Sequence, residues 1–181
     1  GTPMPIPPTL KARLDREHVH YDILTHQQTF RAVSVAHTLH LPEQKMAKVV
    51  IVKVKEHFVT TVLPATAKVD FQRLRKIFGT HRVRLATEEE IAQLFPDCEV
   101  GAMPPFGTLY GLPVYVDRSL ARDGEIFFEG GTHSEAISMR YWDFAALVFP
   151  VVAEFHSEPM ATYRPDHPAM GISSPRHQYS W

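Results

Sequence analysis

Lys48-Val49-Val50-Ile51-Val52-Lys53-Val54 is the stretch that most constrains this chain. Its β-branched side chains are stiff at χ1, pack well on a pleated surface and crowd a helix. A run of this kind reads as a buried strand. Lys55-Glu56-His57 supplies a turn, and Phe58-Val59-Thr60-Thr61-Val62-Leu63 supplies the hairpin partner. Pro64 ends that partner, because it withholds a ladder donor. Whatever the fold, it is built on this hairpin.

Helical spacing lies on both sides of it. Thr9 is placed to cap a helix carrying Leu10, Arg13, Leu14 and Glu17, and Val33, Ala36 and Leu39 or His40 recur before Pro42. Asp70 caps Phe71, Leu74, Ile77 and Phe78, and Gly79 stops them. Thr87 to Glu90 has capping-box spacing, with acids where the helix dipole favours them. Asp143 caps a last helix through Phe144, Leu147 and Val148. Short strands are predicted over 21–24, 83–85, 112–116, 125–128 and 136–139. Interleaving this irregular, with a hairpin in it, argues for one mixed α/β domain and against a regular βαβ repeat. From His156 the periodicity fades and Pro, His and Ser accumulate, so the expectation is a domain over 1–155 and a tail over 156–181. That tail has two places to pack: its own domain, or a neighbouring subunit in a homodimer.

The composition excludes several classes. Apolar residues make up 44% of 181, enough for a sizeable core. One cysteine, Cys98, allows no disulfide within the chain. No apolar run reaches the roughly 18 residues of a membrane span. Residues 1–5 lack the basic start and apolar stretch of a signal peptide, so the expected setting is soluble and cytoplasmic. Charge is uneven. Residues 45–84 hold ten Lys and Arg against Glu56 and Asp70, and residues 85–129 hold nine acids against Arg118 and Arg122. The basic block is either an electrostatic footprint for a polyanion or a set of solvated faces.

Phosphate-loop, dinucleotide-fold, zinc-protease and nucleophile-elbow motifs are all absent. The eleven histidines lack metal-ligand spacing, and Cys98 sits between Asp97 and Glu99, which disfavour its thiolate. Three features remain. Gly101-Ala102-Met103-Pro104-Pro105-Phe106-Gly107 combines fixed φ with glycine freedom, which suits a wall of main-chain groups or simply a rigid turn. In Glu129-Gly130-Gly131-Thr132-His133, a glycine pair at a strand end lets a ligand approach and His133 bond it, or forms a β-turn. Lys48, at a strand mouth, reaches a phosphate or ester oxygen as a point charge, or is a surface lysine.

In this order, the segments 39–48, 62–64 with 70–74, 100–107, 126–131 and 137–139 with Asp143-Phe144 resemble the YbaK / prolyl-tRNA-synthetase-associated editing domain family, over about residues 9 to 155. The resemblance implies a single α/β domain with a mixed, barrel-like β-sheet and surrounding helices. It also implies hydrolysis of the ester joining a wrong, small amino acid (Ala, Cys or Ser) to the 3′ end of tRNA, without cofactor or metal. Lys48, Gly101 and Pro105 take the catalytic positions. Ala102, Met103, Pro104, Phe106, Gly130, Gly131 and His133 take the substrate-binding ones, with Met103 and Phe106 lining a small pocket. Val49 stands where some members carry Asn, so amino-acid preference does not transfer. A binding module on the same fold, or a hydrolase of another small ester, are the alternatives.

Overall fold

The computed structural model describes residues 6–157. Elements are numbered in chain order. The predicted hairpin is β2 (Ala47–Val54) with β3 (His57–Pro64), in register from Ala47 opposite Pro64 to Val54 opposite His57. β5 (Val83–Leu85) pairs antiparallel with β2, while β6 (Val114–Asp117) pairs parallel with β3 and β9 (Val151–Ala153) parallel with β6. This makes a five-stranded sheet in the order β5-β2-β3-β6-β9. A second, antiparallel sheet runs β1 (Tyr21–Thr25), β8 (Glu135–Arg140), β7 (Glu125–Thr132). β4 (Lys68–Val69) pairs with β10 (His156–Ser157). Among the described residues, five α-helices surround the sheets: α1 (Pro8–Arg16), α2 (Ala32–Thr38), α3 (Phe71–Phe78), α4 (Glu88–Leu94) and α5 (Tyr141–Val148).

The mixed α/β character is as expected, but the barrel-like sheet is not. β5 and β9 are three residues long and end the large sheet without a second partner. Among the described residues only the parallel bridge Met46–Phe127 joins it to the sheet of β1, β8 and β7. Edges this short cannot carry a ladder round to closure. The face between the two sheets is closed instead by aromatic packing. Phe106 lies edge-on to Phe144 at 5.4 Å and tilted to Phe128 at 5.8 Å, all three fully buried.

Several ends are set by local chemistry. The Asp70 carboxylate accepts from the N–H groups of Gln72 and Arg73, and Gly79 closes α3 at φ +67. Thr87 and Glu90 form the full capping box of α4. Two predicted caps are displaced. Pro7 precedes α1 and Pro8 opens it, where a missing N–H costs nothing, so Thr9 lies inside the first turn and its hydroxyl reaches Asp97. β8 runs straight into α5, leaving Arg140 at the cap position and Asp143 in the first turn. The tail expected from residue 156 begins as strand β10, and residues 158–181 lie outside the described residues. Among the described residues, no helix is long and apolar enough to cross a membrane.

Fully buried Asp117, at the end of β6, ties the C-terminal strands to the sheet. It accepts from the N–H groups of Ser119, Phe155 and His156 and from the Ser119 hydroxyl, and His156 Nδ1 lies 2.8 Å from Oδ2. Burial by itself raises its pKa, but these hydrogen bonds outweigh it and hold the carboxyl below its usual range. Asp117→Ala therefore leaves several buried donors without an acceptor, at about 1–3 kcal/mol each, and is expected to cost about 3 kcal/mol or more in urea unfolding at pH 7. Because the folded pKa is the lower one, the Asp117 contribution is present above the ordinary carboxylate pKa of about 4 and is lost as pH falls below it. The Asp117→Asn variant should accordingly show a flatter acid limb in a stability–pH series.

Candidate active site

Lys48 is the second residue of β2, opposite Leu63 and half-buried. Burial, followed by the like charges of Lys68 and Arg31, pushes its ammonium below the ordinary lysine range. Among the described residues it makes no hydrogen bond or ion pair. It faces a cavity of about 240 Å³ lined by Phe30, Arg31, Ala32, Val33, Lys48, Val49, Ala65, Gly101 and Glu129. A larger surface hollow at the end of α3, about 580 Å³, is lined by Gln72, Arg75, Lys76, Gly79, Thr80 and His81, all exposed or half-buried. The Lys48 cavity alone of these two combines a titratable buried group with a partly desolvated cation, the combination that marks functional clefts.

The glycine–proline loop reaches this cavity through Gly101 only. Gly101 has φ +92, a conformation that excludes most other residues, and its N–H points to Met103 Sδ at 3.1 Å. Residues 102–107 are buried. Met103 packs in the cluster of Ile51, Phe95, Cys98 and Leu112, and Phe106 in the core with Phe128 and Phe144. Neither side chain lines the cavity, so the small pocket expected from them is core packing. Pro104 and Pro105 stiffen the loop from within.

The glycine pair serves the chain itself. Gly131, at φ +97, donates its N–H to the Ala102 carbonyl and accepts from the Glu99 N–H, both at 2.8 Å. A Cβ there would lie 2.5 Å from Pro7 Cδ, and one at Gly130 about 3.1 Å from Ile137 and 3.2 Å from Ile6. The pair therefore lets β7 lie against the 99–102 loop and the start of α1. His133 is buried too. Its Nε2 sits 2.9 Å from the Val100 carbonyl, and its ring lies 4.7 Å from that of Phe30. It braces the loop from behind the cavity wall.

Glu129 is the group that reading the sequence misses. Its only signal is an acid closing the apolar run 126–128. It is 5% exposed, and burial followed by the charge of Glu99 pushes its pKa up to about 8. Arg31 carries no signal, and Lys68 only its membership of the basic block, because they come from α2's approach and from β4. Cys98 stays inert. Burial pushes its thiol up to about 12, and Tyr110 beside it donates to Asp97 at 2.7 Å. The basic block divides: Lys48 lines the cavity with Arg31, and Lys68 lies near enough to Lys48 to lower its pKa, while Arg82, Arg84, Arg73 and Lys53 pair with acids elsewhere.

Residues 26–147 match the model of a family described as the aminoacyl-tRNA editing domain. The multifunctional Ser/Thr-tRNA deacylase ProXp-y of Escherichia coli (strain K12) is 26% identical over 151 residues, covering 81% of this chain and 90% of that protein. A proline–tRNA ligase of Bacillus cereus (strain AH187) is 28% identical over 83 residues, which is 46% of this chain but only 14% of the ligase. Among solved structures, the hypothetical protein APE2540 superposes with a TM-score of 0.75 at 20% identity, over 82% of this chain and 99% of its own. A structure described as a candidate trans-editing enzyme for prolyl tRNA synthetase gives 0.73 at 20% identity, over 84% and 99%. At that identity the two structures speak for the fold.

Two stability outcomes follow. Gly131→Ala combines positive φ with a backbone-level clash, so it is expected to lower stability by about 2 kcal/mol or more in denaturant unfolding. Glu129 has its folded pKa above its unfolded one. The stability of its neutral form is complete below the unfolded pKa near 4.5 and is lost as pH rises toward about 8. The Glu129→Gln variant should be flat over that window, and more stable than the wild type at pH 8.5 by on the order of 3–5 kcal/mol.

Proposed function

The chain belongs to the aminoacyl-tRNA editing domain family, and from this premise we propose that it is an aminoacyl-tRNA deacylase, hydrolysing the ester between a wrongly attached amino acid and the 3′ end of tRNA. One observation carries the reading for this chain: a single cavity holds the half-buried, unpaired Lys48 and the strained Gly101 of the glycine–proline loop. An aminoacyl ester is already activated, so orientation and charge stabilisation supply most of the required rate. Lys48 steadies the ester or the terminal phosphate as a point charge, helped by Arg31 on the cavity wall and by the nearby Lys68. Gly101, held still by the rigid loop through Pro105, positions the carbonyl or the attacking water. No side chain at the cavity is placed as a nucleophile, and a hydroxyl or thiol on the substrate can assist.

Small amino acids fit this cavity best. The E. coli relative is by its name a Ser/Thr-tRNA deacylase, which supports serine and threonine beside alanine and cysteine as substrates. Phe30, Val33 and Ala65 supply the apolar wall that sorts them, where one methylene is worth about 1–3 kcal/mol. The cationic mouth takes the acceptor end without reading sequence, which makes binding salt-dependent.

Release of amino acid from tRNA-Pro charged with Ala, Cys, Ser or Thr tests the assignment. Wild type is expected to cleave at least one, and Lys48→Ala to lower kcat/KM by about a hundredfold (~2.7 kcal/mol) with folding intact. Cleavage of none by a protein that still binds tRNA would replace the deacylase with a binding module.

A further inference from the structure

The cavity has a cationic side and a carboxyl side. Lys48 feels Lys68 and Arg31, whereas Glu129 feels Glu99. The two line the same space, yet Glu129 makes no ion pair with Lys48. Glu129 is also orphaned. Its side chain is 6% exposed, and Oε1 is buried without a hydrogen-bond partner. His133 Nδ1 lies 3.6 Å from it and is equally unpartnered. With Nε2–H donating to the Val100 carbonyl, Nδ1 of the neutral ring is a lone pair and has nothing to donate. A buried acceptor left unmade is costly, and proteins keep such groups where a ligand completes them.

The missing partner is a donor, it is small enough for about 240 Å³, and it complements an acid. A metal ion does not fit, since among the described residues no three His, Cys, Asp or Glu side chains gather to hold one. A primary ammonium does. We propose that Glu129 receives the α-ammonium of the amino acid, which sets the aminoacyl group with its amine toward Glu129 and its tRNA-bound end toward Lys48, Arg31 and Lys68. This rests on the deacylase reading. The carboxyl is neutral in the empty cavity, its pKa being about 8, and ionises as the ammonium enters. The proton it gives up passes to solvent, and the amine keeps all of its own. An amino acid held by its amine presents its ester at one fixed distance from Gly101. The same contact rejects acyl groups that lack the charge.

The test compares the best-cleaved aminoacyl-tRNA of the panel with its α-hydroxyacyl counterpart, made by nitrous acid deamination. The two differ only in NH₃⁺ against OH. Rates are taken relative to spontaneous hydrolysis of each ester. Wild type is expected to prefer the amine by tenfold or more in kcat/KM. Glu129→Gln should bring the ratio within about twofold, the amine substrate losing far more rate than the hydroxy ester. Glu129→Asp, which keeps the charge, should retain part of the preference, and it decides the matter if the Gln variant does not fold. An unchanged ratio in Glu129→Gln, or equal loss of both esters by a folded variant, overturns the assignment while leaving the deacylase standing. A wild type that cleaves neither ester overturns the deacylase reading, and this assignment with it.

Discussion

The site depends on two hydrogen bonds made by one glycine. Gly131 gives its N–H to Ala102 and its carbonyl to Glu99, and its bare Cα lets Pro7 pass at a distance no side chain would allow. The bulged end of β7 is thereby fastened to the 99–102 loop. His133, two residues on, adds a third tie at Val100. Gly101 is held in its left-handed conformation between them and faces the Lys48 end of β2. A loop that supplies main-chain groups to a reaction must be still, because backbone dipoles act only at a fixed position. The glycines and the histidine provide that stillness from beneath.

The electrostatics above this floor run against stability. Lys48 is partly desolvated beside two like charges, and Glu129 is buried with no hydrogen-bond donor. Each arrangement costs free energy that a salt bridge between the two would recover, yet no such bridge is made. A lone cation facing a buried, unbonded carboxyl serves a ligand that brings both signs. An aminoacylated tRNA end does, with an ammonium on the amino acid and phosphates beyond the ribose.

Legibility followed locality. The hairpin of β2 and β3, the Asp70 and Gly79 ends of α3 and the capping box of α4 are decided within a few residues, and the sequence shows them plainly. Thr9 and Asp143 mislead because a proline and an incoming strand set the helix starts instead. Lys48 and Gly101 are visible as motif residues, and the fold does bring them to one cavity. The glycine pair, His133, Met103 and Phe106 are visible too, but as support and core packing and not as a lining. Arg31, Lys68 and Glu129 stand far apart in the chain, and neither the basic block that holds Lys68 nor the glycine segment that starts at Glu129 marks them as partners at one site.

The sequence by itself determined the mixed α/β class, the central hairpin, most helix ends, the family resemblance and the residues that carry it. Those follow from backbone preference and from patterns a few residues long. Tertiary structure alone decided that the sheets stay open, because closure depends on whether distant edges meet. It alone divided the motif residues into a cavity lining and its scaffold, because burial is a property of the packed whole. The cationic and carboxyl sides of the cavity were decided there as well. A carboxyl is ordinary in the chain and becomes a receptor only when folding removes its water and leaves one side open.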